Sequence, residues 1–496
     1  MLSRRWPRPY PDGSVGLPGF VARHGLWDDE QTAAAARVEA ALDEVRQVRL
    51  VFADPHGLAR GKALTPAAFR AALRNGMDFS AGPFVLDTGH AVAVDFLAED
   101  PGVGVGELAG AGDFVVVPDP RTFQVLPGVE PATAWVLGDE YLRDGSPHPL
   151  GSRAVLRRVT ELFATRELAP VIGLEVEWYL TRRLPGQPSA AGNGFGGQAQ
   201  APAVAPLDSG YQFNLDSHLD LAAEITGPLA EALEALGLPL RSIEHESGPG
   251  QLEFTFDPLS AVDAADAMLL FRTLTKQLCA RRGFHASFMA LPGLPGFDPS
   301  GWHLHQSVVD TTTGRNAFAA DSEAEPLSPA AKGYVDGLLA LTRQLCLLSV
   351  PTVNGYRRLR PGPALSPSRL DWRVEDRTAL ARIVGGGEAA HVENRIGEPA
   401  ANPYLAIGAQ LFAGLNGLAG TLPDDGGSAL PTSLRDALES FRGGPAAADL
   451  LGAPLATLLG KLKESEVVRF ETATGGGDPL DGEVTEWEHR EYFDVY

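Results

Sequence analysis

The chain has 496 residues, too many for one ordinary core, so two domains are expected, one of them large. Its 63 acidic against 41 basic residues give a formal charge of −22, which argues against nucleic acid or an anionic membrane as the main partner. No run approaches the ~20 apolar residues of a membrane span, and the opening MLSRRWPRPYPDG lacks a signal peptide's apolar stretch, so a cytoplasmic protein is expected.

Residues 1–40 read as a Pro-, Gly- and Arg-rich extension leading into a helix over AAAARVEAALDEV, 33–45. From 41 to 148, short apolar runs broken by turn residues mark a small sheet-containing domain. The remainder, 149–496, opens with a helical pattern over 152–168 and a strand-like GLEVEWYL at 173–180. A low-complexity insertion at 185–206 is assigned no structure. Helical and strand-like pieces then alternate through LAAEITGPLAEALEALG, HESGPGQLEFTF, AVDAADAMLLFRTLTKQLCARRG and HASFMAL, a pattern of α/β or α+β catalytic domains. Cys279 and Cys346 lie in apolar helical contexts with no Cys or His at ligand spacing, so buried free thiols are expected.

Four segments carry chemistry. In GLEVEWYL, Glu175 and Glu177 are two apart, which on a strand places them on one face, roughly 7 Å from each other. The plainer reading is a strand with one wet face; on a buried face the two carboxylates would need a shared cation. HESGPGQLEFTF adds Glu246 and Glu253 on either side of a Gly-Pro-Gly turn. SGWHLHQS puts His303, His305 and Ser307 on one strand face, although a histidine in an apolar strand is more often a hydrogen-bonded core residue than a ligand. HVENRIGEPAANPYLAIGAQLFAGL repeats the period with Glu393 and Arg395, ahead of an apolar helix that Asn402 and Pro403 could start. Four such pairs on separate segments point to one site. An oxygen-rich donor set with one imidazole suits Mg²⁺ or Mn²⁺ better than Zn²⁺, and such a metal usually accompanies phosphate chemistry. Arg357, Arg358 and Arg360 in NGYRRLRPG, and Arg373, Arg377 and Arg382 in WRVEDRTALARI, supply cations for an anionic substrate.

In this order the motifs resemble the glutamine synthetase family over about residues 45 to 496. The series runs Glu-x-Glu, His-Glu…Gly-Gln-x-Glu, Ser-Gly-x-His-x-His-x-Ser, Asn-x-Tyr-x-Arg-Leu-x-Pro-Gly, an Arg-rich loop, and Glu-x-Arg before Ala-Asn-Pro-Tyr-Leu-Ala. The resemblance implies an α+β protein: an N-terminal β-grasp domain and a catalytic domain with a curved antiparallel sheet. It implies homo-oligomeric rings, a dodecamer in the family, with each site between neighbouring subunits. ATP and two or more Mg²⁺ or Mn²⁺ ions per site are implied as well. Glu177, Glu246 and Glu253 would hold the ion nearer the substrate glutamate, and Glu175, His303 and Glu393 the ion bridging the ATP phosphates. Arg358 and Arg395 would bind glutamate's carboxylates, with Asp298 beside its amino group. Arg377 and Arg382, with Glu246, would serve the transfer itself, and His305, Ser307, Arg382 and His391 would lie on the nucleotide side.

Departures from the family concern the amine. Ammonium-using members place acids where Ser80 stands in NGMDFSAGP and Ala364 in RPGPALSP, and the nearby Asp78 is out of register. Losing both anionic walls favours a bulkier amine over ammonium. Asp298-Pro299 replaces Asn-Gly, His391 replaces Arg, and the segment GTLPDDGGSALPTSL has no Tyr for adenylylation. The expected activity is therefore ATP-dependent ligation of glutamate's γ-carboxylate to an organic primary amine through γ-glutamyl phosphate. A polyamine, ethanolamine, an alkylamine and an arylamine all remain open. The rival readings are an ammonium-using glutamine synthetase and a non-catalytic ring-forming assembly or regulatory protein.

Overall fold

The computed structural model describes residues 18–186, 195–320, 327–359, 365–422, 429–475 and 483–496. The first sheet is built from β1 (Gln47–Ala53), β2 (Ala59–Leu64), β3 (Met77–Ser80), β4 (Asp113–Pro118), β5 (Gln124–Val125) and β6 (Thr133–Tyr141). Its order is β2-β1-β6-β4-β3, with β5 on β6. β1 and β6 run parallel while the other pairs are antiparallel, the mixed sheet of a β-grasp arrangement. The helix Pro66–Asn75 starts where the Thr65 hydroxyl accepts from the Ala68 N–H and Pro66 supplies a helical φ. Phe52, Phe79, Phe84 and Phe114 fill this core with ring centroids 5.2–6.3 Å apart.

The second sheet contains β7 (Leu168–Arg183), β8 (Val204–Pro206), β9 (Leu240–His245), β10 (Gln251–Phe256), β11 (Leu259–Ser260), β12 (Phe284–Ser287), β13 (Trp302–Asp310), β14 (Trp372–Val374), β15 (Ala381–Val384) and β16 (His391–Gly397). Its order is β14-β15-β16-β13-β7-β10-β9, with β8, β11 and β12 also on β7, and it curls into a half-barrel. Every pair is antiparallel except β14 and β15.

Alternation decides which face is which. Val176 and Trp178 of β7 and Phe254 of β10 are buried on one face, where Trp178 stacks on Phe288 and Phe254 meets Phe271 of the helix Ala261–Arg281. Gln306 of β13 joins them there, bonding Tyr334 and Gln410 on the helices Pro329–Ser349 and Pro403–Leu418. Those two helices touch backbone to backbone: a Cβ on Gly417 would lie 2.0 Å from the Gly333 carbonyl oxygen, so only glycine fits. Asn402 caps the second of them and Pro403 occupies its first turn, as the sequence implies. The acidic and histidine positions are left on the opposite face.

A buried ionic junction joins the two sheets. Arg153, on the helix Ser152–Ala164, bonds Asp139 of β6 at 2.9 Å, Asp119 at 3.2 Å and Asp266 of the helix Ala261–Arg281 at 2.6 Å. Burial raises the Asp119 carboxyl, but Arg121, Arg153 and Arg157 outweigh it and hold the group well below its ordinary range.

Several elements differ from expectation. The N-terminal helix spans Asp29–Ala41 rather than 33–45, because Asp28 and Gln31 close a capping box ahead of the alanine run. A further short helix, Phe20–His24, lies in the stretch read as extension. β7 is twice the eight-residue strand expected, since five neighbouring strands pair along it. The end of the insertion forms β8, while its residues 187–194 lie outside the described ones. Both cysteines are buried and free. Among the described residues no helix is long and apolar enough to cross a membrane.

Replacing Arg153 by alanine would leave Asp266 without its cation and Asp119 and Asp139 to Arg157 and Arg121. We expect Arg153→Ala to lower the unfolding free energy in denaturant titration by about 3–5 kcal/mol. A loss under about 1 kcal/mol, the range of an exposed pair, would contradict this view of the junction.

Candidate active site

Strand register brings the acids together. Glu253 of β10 lies opposite Glu177 of β7 on one side and Glu244 of β9 on the other. Glu175 lies opposite His303 of β13, and Glu393 of β16 opposite both His305 and Arg382. A register irregularity in the β13–β16 pairing between Trp302 and Leu304 falls beside His303, where a bulge re-aims neighbouring side chains.

Two cavities meet on this face. One of about 870 Å³ is lined by Glu177, Glu246, Glu253, His303, Arg377 and Asp298, among others. The other, of about 490 Å³, is lined by His305, Ser307, His391, Gly173, Arg241 and Asn316, among others. Glu175, Glu244 and Thr255 border both.

The His303 Nδ1 lies 2.5 Å from Glu175 Oε1, and its Nε2 lies 3.0 Å from the Arg358 guanidinium. With Arg358 donating to Nε2, His303 carries its proton on Nδ1 and donates to Glu175. His305 Nε2 is 3.0 Å from Glu175 Oε2, and His305 Nδ1 is 3.0 Å from His391 Nε2. Glu393 accepts from Arg395 and, at 3.0 Å, from Arg382, which also holds Glu375. Glu177 accepts from the Gly301 N–H at 2.9 Å and from Gln251 at 3.2 Å.

The charges divide into two groups. Burial, outweighing the Arg358 guanidinium, pushes Glu177 up to about 8, and Glu246 adds to the rise. Burial with Glu244 and Glu175 raises Glu246 to about 7. Burial and the four surrounding carboxylates raise Glu253 to about 10. Among the described residues no group hydrogen-bonds to the Glu253 carboxylate. Glu175 and Glu393 behave oppositely: burial raises both, but His303 with His305 holds Glu175 down, and His303 with Arg395 holds Glu393 down. Burial and Arg395 in turn lower His303 to about 4.

One ligand atom each from Glu175, His303 and Glu393, and one each from Glu177, Glu253 and His303, lie within 4.8 Å of one another. Hard divalent cations fit this donor set, because the chain leaves the Glu177, Glu246 and Glu253 carboxylates without enough positive charge of its own.

Of the residues singled out in the sequence, the structure brings Glu175, Glu177, Glu246, Glu253, His303, Arg358, Arg377, Arg395 and Asp298 onto the larger cavity, and His305, Ser307 and His391 onto the smaller. Arg382 and Glu393 adjoin them through the contacts above. Arg358 differs from a free substrate cation: its guanidinium donates to the carbonyls of Arg395, Ile396 and Gly397. Arg357 forks onto Glu488, and Arg373 is an exposed partner of Asp371 and Asp376. Ser80 lines neither cavity and is exposed on β3, bonded to the Ala111 carbonyl and the Gly82 N–H. Ala364 and Arg360 lie outside the described residues. Sequence reasoning passed over Glu244, although its spacing of two from Glu246 repeats the Glu175–Glu177 signal.

Residues 150–492 match the family model for the glutamine synthetase catalytic domain. A gamma-glutamylanilide synthase from Acinetobacter sp is 38% identical over 96% of this chain and 99% of its own length. A glutamine synthetase from Pyrococcus abyssi is 30% identical over 90% of this chain and 96% of its own. Among solved structures, a GmaS complex with ADP superposes with a TM-score of 0.72 at 26% identity, covering 91% of this chain and 98% of that one. A structure described as a novel glutamine synthase homolog gives 0.71 at 26% identity, with 91% and 99% covered. The chain belongs to the glutamine synthetase family.

Proposed function

We propose that this protein is an ATP-dependent ligase that joins the γ-carboxylate of glutamate to an organic primary amine through γ-glutamyl phosphate. The observation that carries this reading is the division of charge on one sheet face. Carboxylates in excess of their counter-charge line one cavity, and the histidine-paired Glu175 stands where it meets a second.

In this reading Glu177, Glu246 and Glu253 hold one divalent ion, Mg²⁺ or Mn²⁺, and Glu175, His303 and Glu393 another. Bound there, the ions would neutralise the ATP phosphates and the charge that develops in transfer. The chain's own groups do the rest. His305, Ser307 and His391 border the nucleotide in the smaller cavity. Arg395 and Arg358 face glutamate, Arg358 chiefly by holding the β16 backbone and His303 in place, and Asp298 lies near the amino group. Arg377 lines the larger cavity, and among the described residues no hydrogen bond or ion pair engages it, so it is available to the moving phosphoryl group. Arg382, fixed between Glu393 and Glu375, supports it from the side. A γ-carboxylate oxygen attacks the γ-phosphorus and ADP leaves. The amine nitrogen then attacks the acyl carbon, the bond to phosphate breaks and phosphate leaves, and the nitrogen gives up one proton as the amide forms.

The amine is inferred from what borders the cavity. Phe213 and Leu365 line it while remaining 63% and 53% exposed, an apolar mouth that suits an aromatic or alkyl group. In a homo-oligomeric ring, a dodecamer by family, Ser80 of a neighbouring copy would border this mouth without a carboxylate. An arylamine arrives neutral and needs no carboxylate to strip a proton before attack. The Acinetobacter relative, with an anilide in its name, supports an arylamine over a polyamine.

Two outcomes test this reading. In a phosphate-release assay with ATP, glutamate and a panel of amines, kcat/KM for an aniline should exceed that for ammonium by about a hundredfold or more, as a missing carboxylate partner for a desolvated cation is worth on the order of 3 kcal/mol. Phe213→Ala should raise KM for the aromatic amine and leave KM for glutamate unchanged; ammonium used as well as any organic amine would contradict the assignment. The second outcome concerns stability. Glu253 is raised in the folded state to about 10 from an ordinary value near 4.5, so its favourable contribution is complete at low pH and is lost as pH rises between those values. Metal-free protein should therefore melt at progressively lower temperature from about pH 5 to about pH 9, and Glu253→Gln should flatten that decline. Mg²⁺ should restore the wild type at the alkaline end and help Glu253→Gln less. Parallel pH profiles for the two proteins would show that the carboxylate is not under this load.

A further inference from the structure

Behind the catalytic face lies a second cluster with ligand chemistry. β9 places Glu244 toward the cavities, so His245 points to the opposite side, beneath the helix Asp216–Ala235. There it meets His218 from the first turn of that helix and Asp208 from the segment that follows β8. His245 Nε2 is 3.2 Å from His218 Nδ1 and 3.2 Å from Asp208 Oδ2, while His218 Nδ1 is 3.8 Å from Asp208 Oδ1. The His245 side chain is fully buried, Asp208 is 2% exposed and His218 is 13% exposed.

These separations have a chemical meaning. Ligand atoms held 2.0–2.1 Å from a tetrahedral zinc ion are about 3.3 Å from one another. The two separations from His245 Nε2, 3.2 Å each, match that spacing, and the 3.8 Å between His218 and Asp208 lies about half an ångström beyond it, so a small closure of the carboxylate on His218 would complete three corners of a zinc tetrahedron. The donor set differs in kind from the oxygen-rich catalytic clusters: two nitrogens and one oxygen favour zinc over magnesium. The carboxylate is also oriented from outside. The Gly210 N–H donates to Asp208 Oδ1 at 2.7 Å and the Gly250 N–H to Oδ2 at 3.1 Å. Both glycines have positive φ, so these donors depend on backbone geometry that other residues rarely adopt. Two nitrogens facing each other beside a carboxylate otherwise have to share protons at a place where water has little access.

We propose that Asp208, His218 and His245 form a structural zinc site, with a water as fourth ligand on the partly exposed His218 side. Its position gives it a task. The segment between Asp208 and His218 carries Phe213 and Asn214 into the larger cavity, and the Asn214 N–H donates to the His245 carbonyl at 2.8 Å. Zinc would clamp this segment to the strand that bears Glu244 and leads into Glu246. One ion behind the sheet would thus fix both an acidic wall of the site and the proposed amine mouth.

The test uses the full chain, stripped with a chelator and titrated with Co²⁺ as a zinc surrogate. Cobalt in the carboxylate-rich catalytic clusters would be octahedral and pale, whereas the proposed site would give the intense visible bands of tetrahedral cobalt. We expect one tetrahedral equivalent per chain, bleached by Zn²⁺, retained in Glu253→Gln and lost in His218→Ala. His218→Gln serves the same purpose if the alanine variant does not fold. With Mg²⁺ saturating the catalytic clusters, Zn²⁺ should also raise the melting temperature of the wild type by several degrees and that of the His218 variant by much less. Wild-type protein without tetrahedral colour, or colour that persists in the His218 variant, would overturn the proposal and leave a hydrogen-bonded Asp-His-His network.

Discussion

The structure is organised around negative charge that the chain does not neutralise by itself. Glu177, Glu246 and Glu253 share one region of a sheet face with Glu244, and each of the first three is held above its ordinary protonation range by burial and by the others. Like charges directly opposite on neighbouring strands oppose pairing, so the sheet must be held from elsewhere. The other face does this. Trp178, Phe254, Phe271 and Phe288 pack there, and two glycine-contact helices press on the central strands. Apolar burial on one side allows these carboxyls to crowd together on the other, where protons or cations must relieve their repulsion.

Arginines and histidines mark where the charge is to be used. Glu175 pairs with His303 and His305, and Glu393 with Arg395 and Arg382, and both are held below the ordinary carboxylate range, whereas Glu177, Glu246 and Glu253 are held above it. That gradient runs across the line where the two cavities meet. Arg358 and Arg382 are tied to carbonyls and carboxylates, whereas Arg377 has no such tie among the described residues. An enzyme of this family that moves a phosphoryl group needs both kinds, some to hold the frame and one to follow the charge.

Much of this face was legible because a strand has a period of two. The pairs Glu175–Glu177, His303–His305 and Glu393–Arg395 each share a side, as their spacing requires. Which pair stands opposite which was not legible, since register depends on long-range pairing and on a bulge beside His303. Glu244 was missed because it precedes a motif already assigned, and the Asp208–His218–His245 cluster because its histidines are 27 residues apart on different elements. The parallel pair β14–β15 and the capping box at Asp28 show the same limit in the fold: local chemistry fixed the cap, but the alanine run dominated the reading of where that helix began. Ser80 could be named from the sequence, yet within one chain it lies on a sheet edge away from both cavities.

The central claim is that glutamate's γ-carboxylate is phosphorylated before the amine attacks. Its most direct test is oxygen transfer, with glutamate carrying ¹⁸O in the γ-carboxylate, ATP, Mg²⁺ and an aromatic amine. The account predicts one ¹⁸O in each phosphate released, because the oxygen that attacks phosphorus departs with it when the amide forms. Phosphate free of ¹⁸O, formed in step with the amide, would contradict it.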